Sequence, residues 1–391
     1  MSESERALEG LVVADFSRVL AGPLATMNLG DLGADVIKVE RPEVGDDTRA
    51  WGPPFVEEGS TYYLGLNRNK RSIALDLGEP GDLEAARELA SRADVLIENF
   101  RPGAMSRLGL GYEEVSRLNP GIVYCSISAF GSGERGAAMP GYDFLVQAAS
   151  GFMSITGEED GTPMKTGVAI VDVICGLNAT IGILAALESR RKTGEGQHVE
   201  VSLMDSALAG LVNQASGYLL AGSVPGPRGN KHPSIAPYET FRAADRPFVI
   251  AVGNEALWRR LCESLGLEEL AEDERFATNS GRVAHRDELG EILEGVFRRE
   301  DAATWVERLG EAGVPAGLIN DVGEAFELAE WLDLSPVVEL ENREGSSNLK
   351  LTRSPLRMSE TPVIADKPPP RLGEHSGEIR AWLDRGDGTD A

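Results

Sequence analysis

The residue whose surroundings best suit covalent chemistry is Asp172, the single acid in an apolar window running through Val168-Ala169-Ile170-Val171-Asp172-Val173-Ile174-Cys175-Gly176. Its place at the start of a helical stretch also fits an N-cap, where an aspartate oxygen accepts an orphan backbone N–H. The two roles are compatible, because a helix N-terminus keeps a carboxylate ionised and nucleophilic. Gly176 and Gly182 on the following helix leave room for another backbone or a ligand. Other nucleophile arrangements are missing from the sequence. No G-x-S-x-G elbow occurs, and His198, His232, His285 and His375 are scattered without paired metal-ligand spacing. A carboxylate or a tyrosine must therefore carry any chemistry. The run Gly131-Ser132-Gly133-Glu134-Arg135-Gly136 matches the dinucleotide pattern literally, but Pro140 and Gly141 leave no helix for its third glycine to enter, so it reads as a loop.

The elements that position Asp172 follow from periodicity. Leu11–Phe16, Asp35–Val39, Ser72–Leu75, Val95–Glu98 and Ile122–Ile127 read as buried strands, separated by helical spacing over Pro23–Leu32, Leu83–Ser91 and Tyr112–Leu118. Such alternation predicts an α/β fold, a parallel sheet covered by helices. Its ligands sit beyond the carboxyl ends of the strands, where Arg41 and Asn99–Arg101 fall. A long helix from Asp172 to about Lys192, a strand at Gln197–Ser202 and a helix over Leu203–Leu220 complete this part. The Gly- and Pro-rich stretch Gly222–Pro237 marks a domain crossing. A hairpin, Tyr238–Phe241 with Phe248–Val252, then opens a smaller α+β domain with helices at Ala256–Leu265, Arg286–Phe297 and Ala302–Ala312. Short strands at Val337–Leu340 and Leu349–Thr352 and a last helix from about Ser376 return to the first domain. The predicted division is 1–224, 225–325 and 326–391, the last segment completing a discontinuous large domain.

Composition narrows the partners. Apolar residues at 42% and charged residues at 26% suit a soluble globular protein, and 391 residues favour two domains over one core. The apolar run Val168–Leu187 is interrupted by Asp172, Gly176, Asn178 and Gly182 and does not read as a membrane span. Met1–Glu9 is acidic and unlike a secretory signal, and the isolated Cys125, Cys175 and Cys262 suit a reducing compartment; a cytoplasmic location is expected. A net charge of -25 disfavours nucleic acid and anionic membranes. An anionic ligand would need local cations, and Lys38, Arg41, Arg49, Arg68, Lys70, Arg71, Arg101 and Arg107 gather in the first third. By charge alone, these equally fit ordinary pairs with neighbouring acids.

Several stretches together resemble the class III CoA-transferases. They are Leu20-Ala21-Gly22-Pro23, Leu32-Gly33-Ala34-Asp35-Val36-Ile37-Lys38-Val39-Glu40-Arg41-Pro42, Asn67-Arg68-Asn69-Lys70-Arg71-Ser72-Ile73, Glu98-Asn99-Phe100-Arg101-Pro102-Gly103, Gly141-Tyr142-Asp143, the Asp172 window and Leu372-Gly373-Glu374-His375. The resemblance implies a Rossmann-like CoA-binding domain, a small domain and an interlinked homodimer. It implies that the aspartate matching Asp172 attacks an acyl-CoA thioester. A mixed anhydride and then an enzyme–CoA thioester form, and the incoming carboxylate reverses these steps, with no cofactor or metal. It also implies CoA contacts at Arg41, Leu75, Asn99, Phe100, Arg101, Arg107, Tyr142 and Asp143.

Leu20 stands where formyl-CoA transferases of the family have glutamine, and their small-domain glycine run is absent, which disfavours formate and oxalate. Gly45-Asp46-Asp47-Thr48-Arg49-Ala50-Trp51-Gly52-Pro53-Pro54-Phe55, Ser60-Thr61-Tyr62-Tyr63-Leu64 and His232-Pro233-Ser234-Ile235-Ala236-Pro237-Tyr238 look like the succinyl-CoA:glutarate subgroup. The resemblance thus implies succinyl-CoA as donor and a dicarboxylate acceptor, with Leu20, Arg49 and His232 as candidate substrate contacts. Two alternatives stand beside this reading. One is a 2-methylacyl-CoA racemase, against which Tyr142 stands in place of the histidine of the family's G-H-D motif. The other is a non-catalytic CoA-binding protein, against which the intact Asp172 window speaks.

Overall fold

The structure, a computed structural model, describes residues 6–341 and 348–385; residues 1–5 of the acidic N-terminus lie outside it. The chain divides into two compact units. The first comprises 1–152, 165–223 and 334–391, the second 153–164 and 224–333. The second unit thus extends past the sequence boundary at 325, which falls inside the helix Val322–Trp331, and it also takes in 153–164, which has no strong periodicity of its own.

The first unit is built on six strands: β1 (Val12–Asp15), β2 (Asp35–Glu40), β3 (Lys70–Ala74), β4 (Val95–Glu98), β5 (Val123–Ser128) and β6 (Gln197–Ser202). Their spatial order is β3-β2-β1-β4-β5-β6, and every neighbouring pair is parallel. This is the Rossmann-like order of a doubly wound sheet. Successive strand residues face opposite sides, so both faces must be apolar and both must be covered. Val13, Val36, Val95 and Val123 pack under the helices α1 (Ala21–Asp31) and, later in the chain, Ile170–Thr193. Ala14, Ile37, Leu96 and Tyr124 pack under α2 (Pro80–Arg92), α3 (Tyr112–Leu118) and the C-terminal helix Ser376–Asp384. That last helix returns the chain to the first unit. Two elements that the sequence left unassigned follow β5, a short helix Glu134–Ala138 and α4 (Asp143–Ala149). The literal dinucleotide pattern follows β5 rather than β1, and only its first half is a loop. Contrary to the expectation from Pro140 and Gly141, its third glycine, Gly136, lies within the short helix, which is a single turn and not the long helix a dinucleotide site needs.

Ile170–Thr193, hereafter α5, is long and apolar enough to cross a membrane, with a mean hydropathy of 2.1 over its most apolar window. It nevertheless contributes Cys175, Ala179 and Ile183 to the core. A β-carbon on Gly176 would lie 2.6 Å from the Ala21 carbonyl oxygen, so only glycine lets α5 reach the start of α1. The predicted helix 203–220 is two helices, α6 (Leu203–Gly210) and α7 (Val212–Ala221), broken where Val212 takes φ 44°.

The second unit is α+β. Strands β7 (Tyr238–Arg242) and β8 (Pro247–Ala251) form the expected hairpin, and β9 (Ala316–Leu318), too short to show periodicity, adds a third antiparallel strand beside β8. Its core is aromatic, with Phe241, Phe248, Trp258, Phe297 and Trp305 buried together.

Candidate active site

In a doubly wound sheet the crevice opens where neighbouring strands send their chains in opposite directions, here between β1 and β4. Asn99, just beyond β4, closes that point. Its Oδ1 accepts from the Arg18 N–H at 2.9 Å and its Nδ2 donates to the Arg18 carbonyl at 2.7 Å. The next residue, Val19, has φ 72°, a costly conformation for a β-branched side chain. Its N–H points to the Asp46 carboxylate at 3.3 Å. Burial alone would raise the Asp46 pKa, but Lys38 and Thr48 hold it down at about 2, so the clamp stays charged. Sequence and sheet together thus fix the backbone that leads into Leu20 and α1.

Asp172 is the third residue of α5, half-buried, and it is not the cap of its own helix. That task belongs to Asp143 at the start of α4. Asp143 Oδ1 accepts from the N–H groups of Val171 (2.9 Å) and Asp172 (3.2 Å). Asp143 Oδ2 accepts from Gln147 Nε2 at 2.6 Å. The nucleophile candidate is thereby spared from capping and left facing a cleft. Burial first, and the Asp143 carboxylate second, push the Asp172 pKa up to about 7. A carboxylate so raised is both more basic and less solvated than one in water.

Asp172 lines one of two adjoining clefts. One, of about 220 Å³, is lined by Asp172, Leu20, Tyr142, Asn99 and Arg101. The other, of about 330 Å³, is lined by Arg41 and Leu75. Arg18 and Phe100 line both. Phe100 is held at this divide by its N–H, which donates to Glu98 Oε2 at 2.8 Å.

Not every residue carried over from the resemblance keeps its expected task. Asp143 is a CoA contact in that reading, yet its oxygens are occupied by α5 and Gln147, so it positions Asp172 instead. Asn99 lines the cleft, but its carboxamide is committed to Arg18. Arg107, exposed at the end of the short helix Ala104–Arg107, lines neither cleft. Arg49, the candidate for a distal carboxylate, is spent: its fork takes Glu40 at 2.8 and 2.7 Å, and it lies 3.7 Å over the Tyr63 ring. His232 belongs to the second unit, where its Nδ1 accepts from the Ser234 N–H at 3.1 Å. The cluster of first-third cations is largely internal too, with Lys38 on Asp46, Arg68 on Asp31, Lys70 on Asp15 and Arg71 on Asp35. Pairing with acids accounts for these, which leaves Arg41, Arg101 and Arg107 of that cluster partly or wholly uncommitted, and Arg18, outside it, joins them.

Sequence reasoning missed Tyr62 and Arg18. Burial first, then the Asp172, Asp143 and Asp46 carboxylates, raise the Tyr62 phenol to about 12, so it remains a proton-bearing donor within electrostatic reach of Asp172. Its ring meets Trp51 edge-on at 5.4 Å. Tyr62 and Trp51 lie in stretches read only as subgroup signatures, and no local pattern pointed Tyr62 toward a residue 110 positions later; Arg18 lies outside every stretch singled out.

Comparison with known proteins identifies the family and the fold. The family model described as CoA-transferase family III matches residues 8–376. The chain is 44% identical over 390 residues to the succinate–glutarate CoA-transferase of Agrobacterium fabrum, covering 98% of this chain and 97% of that protein. It is 40% identical to the acetyl-CoA:oxalate CoA-transferase of Acetobacter aceti, covering 95% and 94%. A solved CAIB/BAIF family protein from Brucella suis superposes with a TM-score of 0.87 at 43% identity, covering 97% of this chain and all of that one. Sequence motifs, strand order and these likenesses converge, and the chain belongs to CoA-transferase family III.

Proposed function

We propose that this CoA-transferase moves CoA from succinyl-CoA to a dicarboxylate through acyl and CoA adducts of Asp172. The observation that carries the reading is the placement of Asp172 at one end of two adjoining clefts whose other end holds Arg41. CoA would lie along them with its nucleotide end at Arg41 and its sulfur beside Asp172. Asp172 Oδ attacks the thioester carbonyl, the C–S bond breaks, and CoA leaves as thiolate. The thiolate then attacks the aspartyl carbonyl, and cleavage of the anhydride C–O bond releases the donor acid. The acceptor carboxylate attacks the resulting aspartyl–CoA thioester, and the same steps run in reverse. Positioning and exclusion of water let acyl exchange outrun hydrolysis, and the chemistry calls for nothing beyond the two substrates. The dicarboxylate acceptor is supported by the glutarate-named relative, while the oxalate-named one bears against the exclusion of oxalate drawn from Leu20.

We also read the protein as a cytoplasmic homodimer. Three free, buried cysteines support the reducing compartment. Leu177 and Ile181 of α5, Leu208 of α6 and Leu219 and Leu220 of α7 are exposed, apolar side chains on three successive helices that a second copy would cover.

Mass spectrometry of acyl-CoA products from succinyl-CoA and a panel of acids, oxalate and monocarboxylates included, tests the function. Transfer to dicarboxylates is expected; no new acyl-CoA with any acid would sink the reading. In heavy water, rapid exchange at C2 of a 2-methylacyl-CoA without transfer would favour the racemase instead. Tyr142 stands against that outcome, because a racemase needs a base of suitable pKa on each face of the substrate.

Arg41 is about half-exposed and ion-paired to Asp47 at 2.7 Å. Arg41→Ala is expected to raise KM for acyl-CoA by an amount equivalent to about 1.5–3 kcal/mol, the worth of a charge-assisted hydrogen bond, with kcat little changed. An unaltered KM across several donors would remove Arg41 from the CoA site.

A further inference from the structure

We propose that Arg18 holds the carboxylate at the non-reacting end of the acid and so selects dicarboxylates, an inference that rests on the dicarboxylate reading above. An acid bound with one carboxylate at Asp172 must bring its second charge into the same small cleft. Burying that charge is costly unless a cation with unspent donors meets it. Two guanidinium groups line the cleft, Arg18 and Arg101. Arg101 is exposed and has no ion-pair partner among the described residues. Nothing holds its long side chain in one place, so it would lose much rotamer freedom on engaging a small ligand.

Arg18 differs in each respect. Its backbone is clamped on both sides by the Asn99 carboxamide. Its side chain is about one-third exposed and lies 5.4 Å over the Phe100 ring. One nitrogen, Nη1, donates to Asp47 Oδ2 at 3.0 Å, while Nε and Nη2 have no partner among the described residues. Asp47 is itself shared, since its Oδ1 takes Arg41 at 2.7 Å. Asp47 thus orients the Arg18 fork without consuming it, and a planar fork with two free nitrogens matches a carboxylate in bidentate fashion. Of the other basic groups nearby, Lys38 is committed to Asp46 and Arg49 to Glu40, and Arg41 lines only the adjoining cleft. Arg18 also borders the cleft of Arg41, so the alternative is a contact with CoA itself, and the experiment separates the two.

The full-length enzyme and its Arg18→Gln and Arg18→Lys variants are assayed with saturating succinyl-CoA and either glutarate or its mono-amide, which keeps the length and loses one charge. CoA affinity and thermal midpoint are measured alongside. In Arg18→Gln, kcat/KM for glutarate is expected to fall about 20-fold, and at least tenfold more than for the mono-amide. The lysine variant should recover part of that loss, and the CoA dissociation constant should move less than twofold. Equal losses for the two acids, or a weakened CoA complex at an unaltered thermal midpoint, would overturn the assignment. Failure of the dicarboxylate reading would show separately, as a wild-type enzyme that does not distinguish glutarate from its mono-amide.

Discussion

Asp172→Ala is expected to lower transfer by about 10⁴–10⁶-fold, the scale on which loss of a covalent nucleophile is felt, while CoA still binds. Trapping supplies the direct check: hydroxylamine or borohydride added with acyl-CoA should modify the wild-type residue 172 and leave the variant untouched. Near wild-type transfer in the variant would end the mechanism. The raised pKa of Asp172 adds a signature in pH. Attack requires the ionised form, so kcat/KM should rise about tenfold per unit up to about pH 7 and level off above it. The same shift has a stability consequence of opposite sense. Asp172 binds its proton more tightly folded than unfolded, so its contribution to stability is full below the ordinary carboxylate range and is lost as pH rises toward 7. Asp172→Asn, which cannot ionise, should therefore melt higher than wild type at pH 8, with the gap closing below pH 4. A gap that is constant with pH would show that burial does not burden this carboxylate.

The second large effect is expected at Asp143. Asp143→Ala leaves the N–H groups of Val171 and Asp172 without their acceptor, costing about 1 kcal/mol at the start of α5. A nucleophile displaced by even about 1 Å can lose 10²-fold in rate, and a kcat lower by about that factor is expected. Removing the neighbouring negative charge also eliminates the second cause of the Asp172 shift, so the acid limb of the pH profile should move to lower pH although burial still holds it above the ordinary value. Asp143→Asn separates the two effects. Its carboxamide oxygen can still cap, so kcat should largely recover while the limb stays shifted. A wild-type kcat and limb in both variants would reduce Asp143 to a bystander.

Much of this was legible in the sequence because it depended on local periodicity or on fixed spacing. Strands such as Val95–Glu98 and the hairpin at 238–251 announce themselves through β-branched runs and a turn. Arg41 and Asn99 were placed at strand ends by the same reasoning, and the sheet puts them there. What the sequence withheld were pairings at long separation. Whether Arg49 faces a ligand or Glu40 depends on how β2 and the loop after it pack, and the spacing of the two residues fits either. That Asp143 would cap a helix beginning at Ile170 required knowing that α4 docks there. Arg18 carried no signal, since its importance comes from Asn99, 81 residues later.

Because Phe100 and Arg18 form a common wall between the two clefts, the proposed cycle separates mooring from exchange. The carrier stays tethered at its nucleotide end, near Arg41, while acids come and go at Asp172. Its thiolate, released in the first step, never has to leave for the second to occur. Such an enzyme works as a loading dock, where one cargo is set down and another taken up before the carrier departs.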